Sequence, residues 1–75
     1  MSSVASYTFT TKVSDLGLLV RLERITRRLH QAELAVLSGV RSQDVSNLER
    51  GVYVHPLARR RILAVLGIQG DRGAG

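Results

Sequence analysis

From residue 16 to residue 68 the apolar positions recur three and four residues apart, the spacing of helices that bury one face. The clearest stretch is residues 31–51, QAELAVLSGVRSQDVSNLERG. Leu34, Ala35, Leu37 and Val40 form one group with this spacing, Val45 and Leu48 form a second, and Gly39 separates them. Two helices of about two turns each, joined by so short a break, cannot lie side by side; they must cross steeply, as in a helix-turn-helix. Gly39 supplies the left-handed backbone that the tight turn needs. Val40 is expected to pack into the angle between the helices. The outer face of the second helix is left with Arg41, Ser42, Gln43, Asp44, Ser46, Asn47 and Arg50. These are short, polar, amide-rich side chains of the kind that suits the edges of base pairs.

The flanks carry two more helical patterns. Leu16, Leu19, Val20 and Leu22 begin an apolar stripe that Ile25 and Leu29 continue less regularly, with Ser14 or Asp15 placed to cap it. Arg27 and Arg28 fall in the last turn of this helix, where positive charge complements the dipole. Residues 52–56, VYVHP, look strand-like but are short and end in proline. Pro56 suits the first turn of a last helix. That helix carries Ala58, Ile62, Val65 and Leu66 on one stripe, with Arg59, Arg60 and Arg61 off it. Leu57 and Leu63 are partly surplus to the stripe and become candidates for a dimer contact. Gly67 ends the helix and Ile68 folds back on it.

Residues 7–13, YTFTTKV, break the helical period. Tyr7, Phe9, Thr11 and Val13 alternate with Thr8, Thr10 and Lys12, a strand pattern with period two. No second strand is evident, and a lone strand leaves its backbone groups unpaired. The simplest partner is the same strand of a second copy, across a dimer axis. The alternative is a coil-like arm that lays Tyr7 and Phe9 on the domain surface. The chain thus divides into an arm (1–13), a helical domain (14–68) and a short polar tail (69–75).

Composition narrows the function. Seventy-five residues make one small domain, close to the size at which a single core is marginal. With no cysteine, neither a disulfide nor a thiolate metal site can help, and oligomerisation is the remaining route. Eleven basic residues against six acidic give a net charge of +5, the electrostatic footprint of a nucleic-acid binder. Only three residues are aromatic, too few to stack on single strands, so duplex DNA is favoured. An enzyme reading lacks parts: there is no metal-ligand cluster, no glycine-rich phosphate loop and no nucleophile–base pairing. No cofactor or metal is expected. No signal-peptide pattern or membrane-spanning run is evident, so the expected location is cytoplasmic, on the nucleoid, with no membrane partner.

The pattern Q-x-x-L-A-x-x-x-G-V-x-x-x-x-V-x-x-L-E-x-G is carried by Gln31, Leu34, Ala35, Gly39, Val40, Val45, Leu48, Glu49 and Gly51. It resembles the helix-turn-helix core of the lambda-repressor-like (Cro and Xre type) DNA-binding family, over residues 16–68 and without a gap in the core. The resemblance implies an all-α fold of four helices. It implies that Gln31 holds a backbone phosphate, in keeping with an amide beside a helix N-terminus, and that Arg24 and Glu49 form an inner salt bridge. The loop after Gly51 would run beside the phosphate backbone, with Tyr53 and His55 donating to it and Val52 or Val54 tucked into the core. Base reading would fall to Arg41, Ser42, Gln43, Asp44 and Asn47. Further phosphate contacts would come from Ser46, Arg50 and Arg59.

Three positions depart from the family pattern. Arg28 stands where glycine is usual and is expected to strain the turn or lengthen the first helix. His30 replaces a Ser or Thr cap. Arg41 replaces a small cap, so Ser42 is expected to take that role one position later. Asp44 has two readings, a favourable charge in the first turn or an acceptor for cytosine N4. The absence of the family's common fifth helix puts more weight on the N-terminal arm as a dimer contact. The expected function is a small transcriptional regulator, of the phage-repressor or controller-protein kind, binding a palindromic operator as a homodimer. The alternative is an antitoxin-type interaction module that binds a toxin and autoregulates its operon.

Overall fold

The computed structural model describes residues 13–68, with side chains described from residue 16. Four helices make up this part: α1 (Val13–Thr26), α2 (Gln31–Ser38), α3 (Ser42–Arg50) and α4 (Pro56–Leu66). The domain is all-α, and no strand occurs among the described residues. The expected strand and dimer residues Tyr7, Phe9 and Thr11, and the tail at 69–75, lie outside them. Val13, assigned to that strand from its alternation, is instead the first residue of α1. The helix therefore starts ahead of Ser14 and Asp15, the residues expected to cap it. Among the described residues no helix is long and apolar enough to cross a membrane.

α3 lies at the centre, packed against the other three helices. The core is built from Val20 of α1, Leu34 and Ala35 of α2, Val45 and Leu48 of α3, Val54 of the following loop, and Ile62, Leu63 and Leu66 of α4. Leu63 is fully enclosed, which corrects its reading as a dimer contact. The reason is that α4 touches all three other helices, so its buried face is wider than a single stripe. Leu57 stays exposed. On α2 the third buried position is Ser38, while Leu37 points to solvent. The spacing that continues from Leu34 is i+4, not i+3. Among the described apolar side chains of α1 only Val20 is fully buried, whereas Leu19, Leu22 and Ile25 are exposed, together with Leu18.

All four helices close in the same way. At the end of α2, Gly39 has φ 70°, its N–H reaches Val36 O, and the Val40 N–H reaches Ala35 O at 3.0 Å. This pair of bonds satisfies two carbonyls that the helix end would otherwise leave open. After α1 the same closure is made by Arg28, with φ 57° and the Leu29 N–H on Arg24 O. Of the two expected effects of losing glycine at this position, strain is the one present. Arg27, just past the helix, donates through Nη1 to Glu23 O in the last turn of α1 and through Nη2 to Leu66 O at the end of α4.

Candidate nucleic-acid interface

The face of interest is fixed by what holds α3 in place. Glu49 sits on α3 with 5 % of its side chain exposed, and Arg24 of α1 meets it with 13 % exposed. Arg24 Nε donates to Glu49 Oε2 at 2.6 Å and Nη2 to Oε1 at 3.1 Å, a two-pronged pairing. A third nitrogen, Nη1, donates to Leu29 O at 2.8 Å, where the chain leaves α1. A planar guanidinium matches a carboxylate in this way and no lysine does. The inner salt bridge is therefore present, between the two residues named for it.

Gln31, the first residue of α2, adds a third bond to the carboxylate, Nε2 to Glu49 Oε1 at 3.1 Å. An amide nitrogen carries two hydrogens. One is committed to Glu49, which ties α2 to α3, and the other meets no acceptor among the described residues. Gln31 is half-buried, at the N-terminus of a helix whose first-turn N–H groups favour anions.

With Val45 and Leu48 in the core, α3 turns Gln43, Asn47 and Arg50 outward at positions i, i+4 and i+7. Gln43 Nε2 donates to Asn47 Oδ1 at 3.0 Å, and Arg50 Nη2 donates to the same oxygen at 2.9 Å. The three side chains form one linked strip. The Asn47 oxygen is taken twice, so its amide N–H groups are what it presents outward. Gln43 keeps its carbonyl oxygen and one N–H, the acceptor–donor pair that an adenine edge requires. Ser42 is exposed and Ser46 half-buried on the same helix.

Arg41 is the N-cap of α3, with extended backbone, and Ser42 is already helical. This corrects the expectation that Ser42 caps the helix. The cap works through the third helical residue: Asp44 Oδ2 accepts from the Arg41 N–H at 3.1 Å. Asp44 is half-buried and bound to its own helix start, in keeping with a first-turn charge that supports the helix. At α2 the same half of a capping box holds, with the His30 N–H donating to Glu33 Oε1 at 2.7 Å.

The loop between α3 and α4 puts Val54 into the core and leaves Val52 and Tyr53 exposed. His55 has a role that the sequence pattern does not suggest. It is the N-cap of α4, and its Nδ1 accepts from the Leu57 N–H at 3.0 Å. An accepting Nδ1 leaves the neutral ring's proton on Nε2, which stays a donor. Arg59 is half-buried in the wall of a cleft with Leu16 and Pro56, while Arg60 and Arg61 are exposed. Arg61 reaches back to the turn between α2 and α3, with Nη1 3.4 Å from Gly39 O. A scan against protein-family models returns no match, and no curated protein matches the chain.

Proposed function

We propose that this chain is a sequence-specific double-stranded DNA-binding regulator that acts as a homodimer on a palindromic operator, with α3 as the reading helix. The observation that carries this reading is the outward strip Gln43–Asn47–Arg50 on a short helix held from behind by Arg24 and Glu49. A reading helix needs amide and guanidinium groups on one face and a rigid mount on the other. Gln43, Asn47, Ser42 and Arg41 meet base edges, and Arg50, Ser46, Gln31, Tyr53, His55 and Arg59 meet the phosphate backbone. One such helix presents little surface to a groove, so two copies on two half-sites supply the specificity. The protein needs no cofactor and does no chemistry on its target.

The reading is tested by titrating fluorescent duplex DNA with the purified chain at several salt concentrations. Phosphate contacts release counterions, so affinity falls linearly and steeply on a log–log plot. A flat salt response, or no binding at low salt, overturns the proposal.

A further inference from the structure

Between the turn that joins α2 to α3 and the start of α4 lies an open cleft of about 420 Å³. Small-molecule sites run from roughly 300 to 1,000 Å³, so the cleft has room for one. Val40, Leu57 and Ala58 give it an apolar wall, in which Leu57 is exposed and the other two are half-buried. The polar groups of the rim do not cancel. Asp44 is the one carboxylate there, and its Oδ2 accepts from the Arg41 N–H at 3.1 Å, with Arg41 Nε 3.8 Å away. Arg61 engages only Nη1, in a long bond of 3.4 Å to Gly39 O. The other N–H groups of its guanidinium meet no acceptor among the described residues. His55 spends Nδ1 on the Leu57 N–H and keeps Nε2–H as a donor.

We propose that this cleft binds a small amphipathic anion, an aryl or alkyl carboxylate or phosphate. Its charged head meets Arg61 and the His55 Nε2–H, and its apolar body lies against Leu57, Val40 and Ala58. The head gains charge-assisted hydrogen bonds, for which a guanidinium suits a carboxylate or phosphate. The body takes the exposed Leu57 surface out of water. An inorganic anion or a backbone phosphodiester would use the donors and leave the apolar wall wet, so the wall selects for an organic body. Arg41 begins the reading helix and His55 caps α4, and both line this cleft. On the DNA-binding reading proposed above, the anion and the operator therefore compete, each lowering the affinity for the other by the same factor. The binding of the anion itself does not depend on that reading.

The test is a nuclear magnetic resonance titration of the full chain, without DNA and at constant ionic strength, using phenyl phosphate and benzoate as probes. Inorganic phosphate and phenol serve as head and body alone. The expected result is saturable shifts at Val40, Leu57, Ala58 and Arg61, with at least one probe bound about tenfold or more tighter than either half. Arg61→Gln and Leu57→Ser, both at exposed positions, should each weaken that binding while the spectrum keeps the dispersion of a folded domain. Shifts that do not saturate with either probe, phosphate binding as tightly as phenyl phosphate, or affinity unchanged in both variants, each overturn the proposal. Displacement of a labelled duplex by the bound probe is read separately. A duplex that stays in place removes the competition and leaves the site, whereas a chain that binds no duplex removes only the DNA reading.

Discussion

The backbone carbonyl of Glu49 comes so close to Gly17 that a Cβ there would lie 2.5 Å from its oxygen, with the Leu48 oxygen at 2.7 Å. The contact presses α1 onto the end of α3 and brings Arg24 within reach of Glu49. Helix propensity alone would favour alanine at this position by about 0.5–1 kcal/mol. The clash outweighs it, since both atoms belong to the backbone and cannot give way as the end of a flexible side chain can. Gly17→Ala is expected to lower stability by about 1–3 kcal/mol in urea unfolding. Equal or higher stability would mean that the two helices are not in contact at this depth.

The ion pair behind α3 predicts a strongly non-additive mutant series. Removing Arg24 leaves Glu49 enclosed with only Gln31 to offset its charge, and removing Glu49 leaves a guanidinium facing the protein. Each single change, Arg24→Met or Glu49→Met, is expected to destabilise by about 3 kcal/mol. The double mutant should lose clearly less than the two single losses added together. Additive losses in the cycle would show that the two side chains do not depend on each other.

Arg28 offers the opposite kind of test. It holds the left-handed conformation that glycine holds at the other three helix ends. For a residue with a Cβ this costs about 1–2 kcal/mol, partly offset by the greater unfolded-state freedom of glycine. Arg28→Gly should therefore raise stability by about 1 kcal/mol, read from the midpoint of denaturation. A loss of stability would mean that the arginine side chain contributes more than its backbone strain removes.

Much of this fold is legible in the sequence because its turns are marked. Gly39, Gly51 and Gly67 each stand where a helix stops, and Pro56 stands where one starts. Arg24 and Glu49 are legible only through the family resemblance, since nothing in local spacing links residues 25 positions apart. Ser38 is hidden: over the eight residues of α2, three- and four-residue spacings are hard to separate, and apolar Leu37 takes the weight that belongs to a serine. The outward leucines of α1 are hidden for a related reason. Its apolar residues fall on several sides of the helix, among Arg21, Glu23 and Arg24, so its pattern does not say which side faces α3. His55 is hidden because histidine is not among the usual caps, and only geometry brings its Nδ1 to the Leu57 N–H.

The Ser38 hydroxyl is buried and meets no hydrogen-bond partner among the described residues. A polar group enclosed without a partner is unfavourable, so Ser38→Ala should leave stability unchanged or raise it by about 1 kcal/mol. A drop of that size under thermal or urea unfolding would show that the hydroxyl has found an acceptor in solution.

The central claim is that the outward strip of α3 reads bases. Selection of the full-length chain against a pool of randomised duplex DNA tests it with no operator chosen in advance. The account predicts enrichment of an inverted repeat whose half-site centres are about 10 base pairs apart. It also predicts that Gln43→Ala and Asn47→Ala each weaken binding to the winning sequence by about 1–3 kcal/mol while leaving binding to random DNA little changed. A pool that stays random after selection, or a winning sequence bound equally well by both variants, would contradict it.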